Sequence, residues 1–136
     1  VRFAALVVWL VTAAAGARLL LQWLAGGGLR AQPAKVTRYP AAVLVGHPLS
    51  AVAGLALWVA YLVTGAAGFA WAAFGTLVLV IFQGLLLFTR WLVGGGGRHA
   101  RGTGQALPGP AVLVHGVVAL VTFVLVFLTA LRAGGQ

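Results

Sequence analysis

The chain has 136 residues, 62% of them hydrophobic and 7% charged, with nine Lys plus Arg, no Asp or Glu, no Cys and no Met. A soluble domain carries about a quarter charged residues, so an ordinary water-soluble globule is excluded, and so is disorder, which needs low hydrophobicity. Absent carboxylates exclude two-carboxylate hydrolysis, Asp/Glu-bound magnesium or calcium and an acidic proton relay, and absent cysteine excludes disulfides, iron–sulfur clusters, thiolate zinc sites and haem attached through C-x-x-C-H.

Four apolar runs follow one another. The first covers Phe3 to Leu24; it continues through Arg18 and Gln22 to a Trp-Leu end, unlike a cleavable signal peptide. A Gly-rich basic connection holding Arg30, Lys35 and Arg38 leads to the second, Ala41 to Val63, which contains His47-Pro48. A tight turn at Gly65 to Gly68 leads to the third, Phe69 to Leu92, which contains Gln83. A second Gly-rich basic connection, with Arg98, His99 and Arg101, leads to the fourth, Pro110 to Leu131, which contains His115. Each run exceeds the roughly 20 residues needed to cross a 30 Å hydrocarbon layer. None alternates with period two, and a backbone in lipid must satisfy its own hydrogen bonds, so helices are predicted. The expected fold class is all-α, an integral membrane four-helix bundle.

Orientation follows from the cations. Arg30, Lys35, Arg38, Arg90, Arg98 and Arg101 cluster in or beside the two long connections, whereas the other side has only Arg2 and Arg132. The positive-inside rule therefore predicts cytoplasmic long loops, outside termini and a bacterial plasma (inner) membrane location, with anionic headgroups as lipid partners. Trp23, Tyr39 and Trp91 fit a cytoplasmic aromatic belt, and Tyr61, Phe69 and Trp71 the opposite one. Gly94 to Gly97 lacks the lysine and Ser/Thr of a phosphate-binding loop. The few loop charges predict lipid and not nucleic acid as the partner. His99 reads as a solvated loop residue.

The chain aligns with itself at an offset of 68 without gaps, giving fourteen identities in 68 positions, among them Trp23/Trp91, Pro40/Pro108 and His47/His115. This predicts two parallel two-helix repeats, 1–68 and 69–136, related by a pseudo-two-fold axis along the membrane normal. His47 and His115 then lie at one depth, roughly 8–10 Å below the cytoplasmic end.

An imidazole inside a membrane is costly and is a functional hypothesis by default. Zinc wants four ligands, and no Cys, Asp or Glu exists to complete a set. A haem iron wants two axial ligands. The pair therefore points to one b-type haem in the bundle core, with His47 and His115 as metal ligands. Small neighbours, Gly46, Ser50, Ala51 and Gly54 around His47 and Gly116, Ala119 and Thr122 around His115, suit either a macrocycle or close helix packing. Arg18 and Arg38 are candidates for propionate pairing. Gln83, at similar depth, is a candidate hydrogen-bond partner for a ligand or a quinone carbonyl, or else a bridge between helices. Pro48 leaves two readings open: a helix beginning near His47, or a kink in a longer helix.

The stretches Val45-Gly46-His47-Pro48-Leu49 and Val114-His115-Gly116, each opening a span, resemble the small bacterial membrane b-type cytochromes. The resemblance implies a four-helix bundle holding haem through histidines on different helices and passing electrons to or from quinone or a partner. Families of this kind often carry two haems and four ligands. With two intramembrane histidines, this chain has the ligands for one. Two other functions are compatible with the sequence. A non-catalytic accessory subunit would find its countercharge in an acidic partner subunit. A small channel or transporter would use Arg18 in an anion path. Retinal chemistry is excluded, because the one lysine, Lys35, lies in a loop.

Overall fold

A computed structural model describes residues 1–28, 39–93 and 107–135. The described residues form four α-helices: α1 (Arg2–Ala25), α2 (Ala41–Thr64), α3 (Ala67–Val93) and α4 (Gly109–Gly134). Their bounds fall within three residues of the apolar runs. All four are long and apolar enough to cross a membrane.

Backbone chemistry sets the ends. Pro40 and Pro108 occupy the N-cap positions of α2 and α4 with nearly the same extended geometry, φ −61 and ψ 124 against φ −58 and ψ 122. Their carbonyls accept the N–H of Leu44 and Val112 respectively. Gly65 ends α2 in the left-handed region at φ 72, and its N–H closes onto the Tyr61 carbonyl. Glycine takes that conformation without a Cβ clash. The start that Pro40 sets also decides between the readings of Pro48. α2 runs unbroken from Ala41 past Pro48, so the helix does not begin near His47. Proline costs it one donor, the N–H that would have reached the Leu44 carbonyl one turn back.

Short connection and close packing agree: α2 and α3 form an antiparallel hairpin, and α1 lies against α4. Contacts of α3 with α4 and of α1 with α2 close the ring. The diagonals are therefore α1/α3 and α2/α4.

Packing is uneven along the bundle. The contiguous core is Ala5 and Trp9 of α1, Trp58 and Tyr61 of α2, Ala70, Ala73, Leu77 and Val80 of α3, and Val126 and Ala130 of α4. All of it lies in the half nearest the chain ends or at the level of the histidines. Trp58 packs between Trp9 and Tyr61 at centroid distances of 6.4 and 5.2 Å, with the ring planes tilted by 38° and 50°. Phe74 sits 5.2 Å from Phe123 and 5.1 Å from Phe127. Beyond the histidines, the buried apolar side chains among the described residues are Tyr39 and Leu44. Tyr61, packed on Trp58, and Tyr39 are buried, whereas Phe69 and Trp71 stay exposed. The outside of every helix presents large apolar side chains, such as Val7, Leu49, Phe82 and Val117.

Candidate functional site

His47 is six residues past the first residue of α2, and His115 six past that of α4. At 1.5 Å rise per residue each sits about 9 Å along its helix. Diagonal placement of α2 and α4 turns the two side chains toward the bundle axis. Their ring centroids are 6.2 Å apart with the planes at 75°.

Each ring is fixed from the helix beside it. His47 Nδ1 lies 3.0 Å from the Val80 carbonyl on α3, and His115 Nδ1 lies 3.1 Å from the Thr12 carbonyl on α1. A carbonyl only accepts, so both Nδ1 atoms carry the proton and donate. The neutral imidazole then has its lone pair on Nε2. Second-shell bonds of this kind set tautomer and orientation in metal-ligating histidines.

The same two neighbouring helices make room for the rings with glycine. A Cβ at Gly16 would stand 2.9 Å from His115 Cε1, and one at Gly84 would stand 3.2 Å from His47 Cε1. Thr12 and Gly16 are separated by one helical turn on α1, as are Val80 and Gly84 on α3. A carbonyl and a glycine one turn on thus grip each imidazole. These four residues carry no chemistry visible in their side chains, and sequence reasoning missed them. One signal was available: Gly16 and Gly84 are among the fourteen identities at offset 68, and Thr12 and Val80 are paired by the same offset.

Of the other expected residues, Gln83 belongs to the site. Its Nε2 lies against Gly46, the residue before His47, while its buried Oε1 has no hydrogen-bond partner among the described residues. Gln22 Oε1 is buried in the same state on α1. Arg18 is exposed and two residues from Gly16. Two residues are about 200° around a helix, so it projects away from the face that meets His115. Arg38 and His99 lie outside the described residues. Two of the small neighbours serve other ends than making space at the rings. Gly54 admits the Trp9 ring, which would be 3.0 Å from its Cβ, and Gly116 faces open space. Thr122 is buried with its Oγ1 2.9 Å from that of Thr12.

The described residues contain no group of three or more His, Cys, Asp or Glu that would hold a bare metal ion. The donor set is two imidazoles. No family model matches the chain, and no curated protein or solved structure matches it.

Proposed function

We propose that the chain is a multi-pass membrane protein of two parallel two-helix repeats, that it binds one haem b between His47 and His115, and that it serves as a small cytochrome-like electron-transfer protein. The observation that carries this reading is the pair of rings 6.2 Å apart, each with Nδ1 committed to a carbonyl. His47 on α2 and His115 on α4 would hold the group from two different helices.

Three features support the fit. A two-imidazole set is complete for an iron whose other ligands come from a porphyrin, and incomplete for zinc. Gly16 and Gly84 give the two rings room against α1 and α3, and Gly46 gives the Gln83 amide room beside His47. Among the described residues at or beyond the level of the histidines, few apolar groups are buried, and two buried amide oxygens, of Gln22 and Gln83, have no partner. Such oxygens are costly in an apolar interior and call for a donor.

Haem held there would supply a one-electron couple near one membrane face. The chain's own part is electrostatic and steric. The Thr12 and Val80 carbonyls hold the imidazole protons at Nδ1 and make Nε2 a better donor. The tightly packed half keeps α2 and α4 at a fixed spacing. Repeat symmetry supports the same reading, since the two histidine grips map onto one another at offset 68: His47 onto His115, Val80 onto Thr12, Gly84 onto Gly16. Apolar outer faces suit lipid, and the basic connections, which lie outside the described residues, suit the cytoplasmic side of a bacterial plasma membrane. The redox partner in this reading is a quinone or an acidic protein, because nine cations without a carboxylate present only positive charge to a neighbour.

Oxidised and reduced visible spectra of protein purified from haem-replete cells test the proposal. A Soret band with a sharpened α band on reduction is expected, and His47→Ala and His115→Ala should each remove it. A colourless, folded wild-type preparation overturns the proposal. The acid-free composition also favours a second reading, an accessory subunit that takes its countercharge from an acidic partner. Native mass measurement after gentle extraction distinguishes the two: a stable complex with an acidic subunit and no bound haem would select the second.

A further inference from the structure

At the end of the bundle remote from the histidines, α1, α2 and α4 bound an open cleft of about 270 Å³, lined by Arg2, Tyr61, Thr129 and Arg132 with Val1 and Ala133. Arg2 and Arg132 both line it, and the sequence has no Asp or Glu side chain to pair with either. Arg2 is steadied over the Phe3 ring, 5.2 Å from its centroid. The Thr129 hydroxyl donates to the Leu125 carbonyl, so it offers the cleft only lone pairs. The donors available to a ligand come from the two arginines and the Tyr61 phenol.

Topology does not account for these charges. The other basic residues lie in or toward the connections at the opposite end of the helices. Fold does not account for them either. At offset 68, Tyr61 and Thr129 are equivalent and both buried, yet the positions equivalent to Arg2 and Arg132 hold Ala70 and Thr64. One corner of the bundle is charged where its counterpart folds without charge.

We propose that this cleft binds a phosphate group between Arg2 and Arg132. Guanidinium forks pair with phosphate in a bidentate manner. A tetrahedral phosphate presents oxygens to two forks from different directions, whereas a carboxylate's acceptor sites lie in one plane. The phosphate comes from a phospholipid headgroup or from solution.

Native mass spectrometry in detergent tests this, with phosphatidylglycerol in one arm and inorganic phosphate in the other. R2Q/R132Q should weaken binding about tenfold, while R98Q/R101Q, which removes the same charge from a connection expected to meet anionic headgroups, should weaken it clearly less. Loss in the lipid arm alone assigns the site to a headgroup. Loss in the inorganic phosphate arm, alone or with the other, assigns it to phosphate in general. Equal weakening in both double variants, or none in either, overturns the proposal, because charge alone or another surface then does the binding. If R2Q/R132Q does not fold, R2K/R132K keeps the charge and removes the forks. It should bind several-fold more weakly, and wild-type binding by that variant overturns the proposal.

Discussion

Gly16 of α1 and Gly84 of α3 face different histidines in the same way, their absent side chains leaving 2.9 Å and 3.2 Å between a notional Cβ and the ring Cε1 of His115 and His47. The ring cannot swing aside freely in either case. A carbonyl one turn away on the same helix holds its Nδ1. Each histidine is thus clamped by a neighbouring helix at two points.

Alanine at these positions therefore overpacks the site. Gly16→Ala brings carbon atoms closer than real side chains allow, and overpacking of this kind costs about 1–3 kcal/mol. Gly84→Ala, with three tenths of an ångström more room, should cost less. Unfolding in mixed detergent micelles measures both. In the haem reading, retention of colour should fall in the same order. A Gly16→Ala protein as stable and as coloured as wild type would remove the clamp from the account.

The histidine pair was legible in the sequence because it is a rare residue type repeated at one spacing. The four helices were legible because each is a long unbroken apolar run of the length a membrane crossing needs. Pro40 and Pro108 were legible as repeat matches, and they set both histidines six residues into their helices. The grip on the rings was not legible. It consists of two backbone carbonyls and two glycines, in a chain with 20 glycines, and nothing in a carbonyl distinguishes Thr12 or Val80 from its neighbours before the helices pack. Arg18 illustrates a related point. Depth along a helix can be read from residue count, but the side it faces depends on which neighbour packs there.

Gln83→Leu separates a ligand contact from a helix bridge. The Gln83 Oε1 is buried without a partner among the described residues, and an unsatisfied buried group costs about 1–3 kcal/mol. Leucine removes that cost, so the haem-free bundle should be as stable as wild type or more so. Haem affinity should fall, because the amide that lies against Gly46 beside His47 is gone. Stability measured without haem, and haem titration of the same protein, give the two readouts. A loss of stability in the haem-free protein with unchanged affinity would make Gln83 a structural bridge only.

Thr12 and Thr122 join α1 to α4 by hydroxyls 2.9 Å apart, while each hydroxyl also reaches a carbonyl one turn back, Val8 and Val118. Two protons serve three contacts. One contact at a time must lack a proton, so the coupling between the residues should be modest. A double-mutant cycle with Thr12→Val and Thr122→Val should give about 0.6 kcal/mol and no more than about 1.7 kcal/mol, the range found for polar pairs between membrane helices. A zero coupling would mean that the back-bonds take both protons.

Trp58 tests whether the two halves of the bundle are independent. It is fully buried, packed between Trp9 and Tyr61, and its Nε1 has no partner among the described residues. Trp58→Ala leaves a cavity and should cost about 3–5 kcal/mol. Trp58→Phe keeps a ring between Trp9 and Tyr61 and removes the orphaned donor, so its cost should be about 1 kcal/mol, the lost area being partly offset by the donor's removal. Eleven residues of α2, about 16 Å, separate Trp58 from His47. Visible spectra of the phenylalanine protein should therefore match wild type even though its unfolding midpoint moves. A phenylalanine variant as unstable as the alanine one would show that the indole N–H has a partner in the folded protein. A shifted spectrum would show that packing around Trp58 reaches the histidines.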